Sequence, residues 1–259
     1  MKKVLTPAAM ASAAMIVALL AIGTPVLSAQ MKPPSPEELK ALQGILNAST
    51  METRVAAVDS FVNSFPKSEY RNFALTAAAD AYEAGGNTTK AIIYYQLALE
   101  ANPKDYNAML MLAAETARTT REFDLDREEK LAKAEKYAKD GMALIPGASK
   151  LNPEMTDAQW EAIKKDDLAR GHEALGLIAV ARKKYDVAAG EFKTATETAA
   201  DTPPATFIRL GGAYTDAGQP DQAIATLDKV LAVPNLPDQL KNVAQAEKTR
   251  AEKAKAAKK

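Results

Sequence analysis

The sequence predicts an all-helical protein assembled by stacking antiparallel helix pairs. Alanine is very frequent and aromatic residues make up only 6% of the chain, a composition that suits closely packed helices better than a sheet. Apolar residues recur at three- and four-residue steps through segment after segment, the spacing of one helix face. From about residue 68 onward, runs of helical length are punctuated by Gly-Gly, Asn-Pro and Gly-Gln-Pro, which stop a helix and turn the chain.

The first stretch stands apart from this pattern. Lys2 and Lys3 precede an uncharged, mostly apolar run from Ala8 to Gly23, then Thr24-Pro25 and the small residues Ser28 and Ala29. This is the three-part pattern of a secretory signal peptide, and cleavage is expected after Ser28 or Ala29. An uncleaved anchor is the rival reading, but the apolar run falls short of the ~20 residues that cross a bilayer. Residues 1–29 are therefore set aside as a signal peptide, and the mature chain is expected in the periplasm or secreted, with no stable membrane span.

Removing that segment takes two of the 33 basic side chains and none of the 33 acidic ones. The slight acidic excess left behind gives no general affinity for nucleic acid. The chain has no cysteine, so disulfides, thiolate metal sites and a lipidation cysteine are excluded, and packing alone must hold the fold.

After a Pro-rich lead, Ser35-Pro36-Glu37-Glu38 reads as a helix start, with Ser35 capping, Pro36 at the first helical position and Glu38 closing a capping box. Leu39, Leu42, Ile45 and Leu46 form its apolar face. Ser49 with Glu52 predicts a second capping box, followed by the stripe Val55, Val58, Phe61, Val62 and Phe65, which Pro66 ends. Residues 30–67 are thus an N-terminal helical hairpin.

The rest is a repeat. Leu75, Ala78, Ala79, Tyr82, Gly86, Ala91, Tyr95, Ala98 and Pro103 make one copy, and Phe207, Leu210, Gly211, Tyr214, Gly218, Ala223 and Leu227 make the last. Leu175, Gly176, Tyr185, Ala188, Phe192 and Ala195 make a third. A degenerate copy lies between, with Met109, Leu112 and Ala113 on one helix and Ala134, Gly141 and Pro146 on the next. Insertions interrupt the pattern near 119–127 and 147–166, and the helix carrying Trp160 is expected to begin early and run long. This register resembles the tetratricopeptide repeat, in which each unit of about 34 residues is a pair of helices, A and B. The chain is identified as resembling an exported bacterial member of that family. The likeness spans 68–235, with residues 236–259 as a C-terminal capping helix and a Lys-rich tail. The segment from Phe61 to Ser68 is also similar to repeat ends in cell-envelope members. The resemblance implies an α-solenoid, a right-handed superhelix of antiparallel helix pairs with helical caps.

No residue set reads as catalytic. His172 is the only histidine, and its neighbours do not complete H-E-x-x-H because Gly176 stands where the second histidine would be. Gly85 to Lys90 lacks the order of a phosphate-binding loop and joins two helices, where such a loop follows a strand. The acids from Asp124 to Glu129 are not spaced as a calcium loop and suit a helix start. Trp160 is expected to clamp the insertion beside it. The Lys-rich tail is expected to be a solvated helix end, with contact to anionic lipid or cell-wall polymer as the minor alternative.

Family resemblance implies that the A helices line a concave groove holding an extended peptide or a partner helix. The groove-facing residues would include Phe73, Thr76, Asp80, Asn107, Leu110, Arg170, Glu173, Leu177 and Ile208. Members that grip a C-terminal carboxylate use Lys and Asn where this chain has Thr76 and Asp80, which argues against that mode. The expected function is therefore a non-catalytic scaffold or adaptor of the periplasm or cell envelope, needing no cofactor or metal and binding a protein or peptide. Two other readings stay open: a small-ligand, metal-binding or enzyme-accessory role for the insertions, and a homo-oligomeric structural protein.

Overall fold

A computed structural model of the protein describes residues 32–150 and 154–257. The expected signal peptide lies outside the described residues. Within them run the helices α1 (Pro36–Asn47), α2 (Met51–Ser64), α3 (Arg71–Ala84), α4 (Thr88–Ala101), α5 (Tyr106–Thr119) and α6 (Arg127–Leu144). After a single 3-10 turn come α7 (Asp157–Ala181), α8 (Tyr185–Thr198), α9 (Pro204–Asp216), α10 (Pro220–Leu231) and α11 (Asp238–Ala256). Each helix packs on the next in sequence, and α5 also packs on α7, as α9 does on α11. The result is a stack of hairpins: α1/α2, then the four repeats α3/α4, α5/α6, α7/α8 and α9/α10, closed by α11.

Local signals start these helices largely where the sequence places them. Ser35 and Glu38 form the expected capping box. The second box is shifted by one residue: Thr50 caps α2 and Thr53, not Glu52, answers it. A Thr hydroxyl can accept from the N3 amide while the N3 side chain bonds back, so the Thr50/Thr53 pair serves as the acid pair would. Asn87, Asp105 and Thr156 cap α4, α5 and α7. The long helix expected around Trp160 is α7, at 25 residues.

Three repeats stop their A helix in the same way. After α3, α7 and α9 the backbone turns left-handed at Gly86 (φ 76°), Lys183 (φ 59°) and Gly218 (φ 71°). The next amide then reaches back to a carbonyl five residues earlier: Asn87 to Tyr82, Lys184 to Ala179 and Gln219 to Tyr214. This closes the orphan carbonyls of the helix end and aims the chain back along it. The α5/α6 repeat has no such stop. Thr120 is extended, and two consecutive turns over 121–127 replace the single left-handed residue.

The core lies between the two helices of each repeat and between neighbouring repeats. Tyr95, Phe61 and Phe192 are fully buried, as are Leu112, Leu131, Ile178 and Leu227. Glycines on the A helices receive these large side chains. A methyl at Gly176 would sit 2.6 Å from the Phe192 ring, and one at Gly211 would sit 2.6 Å from Leu227. The missing Cβ is what lets α7 approach α8 and α9 approach α10. Trp160 clamps the second insertion as expected: its ring is buried and its indole N–H donates to the Ala148 carbonyl at 3.3 Å. Lys150 closes the same segment through an ion pair with Asp157 at 2.6 Å.

Two glycines on neighbouring helices give a paired test. Gly176→Ala forces a buried ring to shift and should destabilise by about 1–3 kcal/mol. Gly190, on α8, faces open space, so Gly190→Ala should stabilise by roughly 0.5–1 kcal/mol through helix propensity. Thermal melts followed by circular dichroism should place the two variants on opposite sides of the unmodified protein.

Candidate functional site: the face lined by the A helices

The A helices α3, α5, α7 and α9 bring their polar residues to one common face. Among the nine residues expected there, Phe73, Thr76, Leu110 and Ile208 are buried within the helix packing. Leu110 is held against Gly141 and Gly171, and Thr76 points its hydroxyl at Asp105, 3.4 Å away. Asp80, Asn107, Arg170 and Glu173 are half-buried, and Leu177, also half-buried, packs against core residues on both sides of α7.

Asp80, Asn107, Arg170 and Glu173 belong to a larger polar network that the sequence reading did not assemble. Glu115 and Asp167 are almost wholly buried at 1% and 2% exposure. Each pairs with an arginine three residues later on its own helix, Glu115 with Arg118 and Asp167 with Arg170. The other partners lie on neighbouring helices. Arg170 donates to Asn107 at 2.8 Å, Arg118 approaches Glu83 at 3.7 Å, and Arg209 of α9 pairs with Glu173 of α7. Arginines from three successive repeats are thereby fixed by carboxylates of the same or adjacent helices. A planar guanidinium held this way keeps its remaining donors oriented. The signal in the sequence was the recurring acid-x-x-Arg at Glu115/Arg118 and Asp167/Arg170, placed inside otherwise apolar helices.

Burial sets the electrostatics. Asp80 is pushed up to about 6, chiefly by desolvation; the Tyr95 hydroxyl and Arg170 oppose the rise. Tyr95 offers its one hydroxyl proton to two carboxylates, Asp80 at 2.7 Å and Glu83 at 3.1 Å. Only one of them can accept it at a time. Glu83 is also raised, by burial first and by the nearby Glu115 second. Arg209 is pulled down to about 10 by burial and by the like charge of Arg118, with Glu115 partly offsetting this. Asp167 is raised by burial despite its Arg170 and Tyr106 partners.

The residues weighed for other chemistry have structural partners. His172 Nδ1 lies 2.8 Å from Glu191, tying α7 to α8. Gly86 is the left-handed stop after α3 and Asn87 the cap of α4. Asp124 and Asp126 share Lys130 just before α6. Among the described residues no three His, Cys, Asp or Glu side chains gather as a metal site would require.

The Asp80 environment makes stability depend on pH. A carboxyl whose folded pKa lies above its unfolded value holds its proton more tightly when folded, so it favours the fold at low pH. That advantage fades as pH rises from about 4 through the folded value near 6. Asp80→Asn removes the group. The stability of the variant relative to the unmodified protein should therefore climb by on the order of 2 kcal/mol between pH 4 and pH 7, measured by denaturant unfolding at each pH.

Residues 73–115 match a tetratricopeptide-repeat family model, and residues 206–241 match a second one. The first covers most of α3, all of α4 and most of α5; the second covers most of α9, all of α10 and the start of α11. No curated protein matches the chain in sequence. Among solved structures, a thermophilic tetratricopeptide-repeat protein from Thermus thermophilus superposes with a TM-score of 0.55 at 18% identity, covering 76% of this chain and 90% of that one. A tetratricopeptide-repeat protein from Parabacteroides merdae is matched with a TM-score of 0.40 at 15% identity, over 86% of this chain and 93% of that one. The matched segments and the recurring helix stop identify tetratricopeptide repeats at residues 73–115 and 206–241, and the chain has the fold of a tetratricopeptide-repeat solenoid.

Proposed function

We propose that this protein is a non-catalytic scaffold that holds a peptide or a helix of a partner protein against the face lined by α3, α5, α7 and α9. The observation that carries this reading is the row Arg118, Arg170 and Arg209, each fixed by a carboxylate and each still partly exposed. Side chains already ordered lose little entropy when a partner arrives, so the bonds they make count nearly in full. Leu177, half-buried on α7, supplies apolar contact beside the charges. Such a mixture suits a segment with alternating polar and apolar side chains, bound through its side chains and backbone carbonyls.

The setting is the periplasm or cell envelope, supported by the basic start, the apolar run and the small residues Ser28 and Ala29. No helix among the described residues is long and apolar enough to cross a membrane. The Lys-rich C-terminal helix keeps the open end of the stack solvated, as terminal repeats must.

The test has two stages. Cross-linking in the native cell and affinity purification of the tagged protein identify the partner, which is then titrated calorimetrically against purified protein. Asn107→Ala removes one polar group from the face, and Arg170→Lys keeps the charge while losing the planar fork. Each should weaken binding by roughly three- to tenfold, the worth of about one hydrogen bond, with melting temperatures confirming the fold. Affinity unchanged in both variants would remove the assignment of this face.

A further inference from the structure

One hydroxyl stands between two carboxyls on the A-helix face. Tyr95 Oη lies 2.7 Å from Asp80 and 3.1 Å from Glu83, one helical turn further along α3. With both acids ionised, one of them always faces that oxygen with no hydrogen between. The surroundings do not close the gap. Tyr95 is the one hydrogen-bond partner of Asp80 among the described residues, and no cation pairs with Asp80 there. Arg118 approaches Glu83 at 3.7 Å but is held closely by Glu115 of its own helix. The other charged groups nearest the two acids are Arg54 on α2, Asp105 at the start of α5 and Arg170 on α7. Four carboxyls thus meet three guanidiniums, which leaves one negative charge uncompensated.

A single added proton satisfies the whole group. An Asp80 carboxylic acid donates to Tyr95 Oη, and the Tyr95 proton turns to Glu83, so that acid, hydroxyl and carboxylate form one directed chain. Burial favours that proton: Asp80 is pushed up to about 6 and Glu83 is raised with it. The two carboxyls titrate as a pair. The proton also changes what the face offers. Arg118 and Arg170 are partly exposed, and a guanidinium fork matches carboxylate oxygens. The uncompensated charge beside them repels an acidic partner at neutral pH, and protonation cancels it.

We propose that Asp80, Tyr95 and Glu83 form a proton-operated switch: one shared proton, taken up in mild acid, lets the A-helix face accept an acidic segment of a partner protein. The inference rests on the reading of this face as the binding surface. Linkage makes it reciprocal, so an acidic segment that binds there draws the proton in.

Two measurements on the purified protein test this. In the first, carbon-13 NMR follows the side-chain carboxyls through a pH titration, with Asp80→Asn and Glu83→Gln for assignment. The pair should titrate in two steps, the upper one at about 6. Two carboxyls both fully ionised by about pH 5 would overturn the proposal. In the second, fluorescence anisotropy compares binding of a labelled hexaglutamate peptide at about pH 5.5 and about pH 7.5, a range in which its own carboxyls stay mostly ionised. Affinity should be roughly three- to tenfold higher in mild acid, the effect of one unit charge at close range. The amide of Asp80→Asn can donate to Tyr95 as the acid does. This variant should bind at the higher pH as tightly as the unmodified protein does at the lower one. His172→Gln, which removes the only histidine, should leave the difference in place. Equal affinity at both pH values, no binding at either, or a difference that persists in Asp80→Asn overturns the switch. Flat affinity that is still weakened by Asn107→Ala and Arg170→Lys removes the switch and leaves the face. Affinity that follows pH but ignores both of those variants removes the face, and the proposal with it.

Discussion

The closeness of helix to helix within each repeat is the constraint from which the rest follows. Gly176 and Gly211 have room for no methyl because Phe192 and Leu227 fill the space it would take. Drawing the backbones together buries aromatic and leucine side chains completely and forms a continuous core from helices of 12 to 18 residues, apart from the longer α7 and α11. Helices of that length are marginal alone, so each depends on its neighbours. Because the small residues sit on the A helices, the large side chains of the B helices pack inward. The polar residues of the A helices are then left to share the opposite face.

That geometry explains why the charged network exists. Packed tightly, the A helices carry Glu115 and Asp167 out of reach of water, and a buried carboxylate without a cation would be costly. Arg118 and Arg170 answer them from one helical turn away. Glu173 and Arg209 extend the pairing from α7 to α9. The network therefore serves the fold and fixes the chemistry of the face at once. Side chains that neutralise the interior also present ordered donors outward, and the same desolvation raises Asp80 and Glu83 around the single Tyr95 hydroxyl.

Much of the architecture was legible in the sequence, because the features that encode it are local. Capping residues, Gly-Gly and Gly-Gln-Pro stops and the three-to-four spacing act within one turn of helix, and they marked the hairpins, the long α7 and the role of Trp160. The slip from Ser49/Glu52 to Thr50/Thr53 came from preferring an acid in a box that a hydroxyl can also close. Lys183 was not legible as a helix stop, since its left-handed backbone is imposed by the surrounding turn against its own preference. The family resemblance implied nine residues for that face, but a repeat register cannot tell a half-buried position, as at Asp80, Asn107, Arg170, Glu173 and Leu177, from one tucked within the helix packing, which is where Phe73, Thr76, Leu110 and Ile208 lie. The Arg209–Glu173 pair depends on the distance between α7 and α9, which no single segment records.

A working face on the A helices can be tested directly in the cell by placing a photo-reactive amino acid at one position at a time. Asn107 on α5 looks onto that face, while Lys136 and Lys139 on α6 are exposed on the other side of the same repeat. If the A helices hold a partner, irradiation should give a discrete cross-linked species from position 107 and none from 136 or 139. Cross-links of equal yield from both sides, or from the α6 positions alone, would contradict the account.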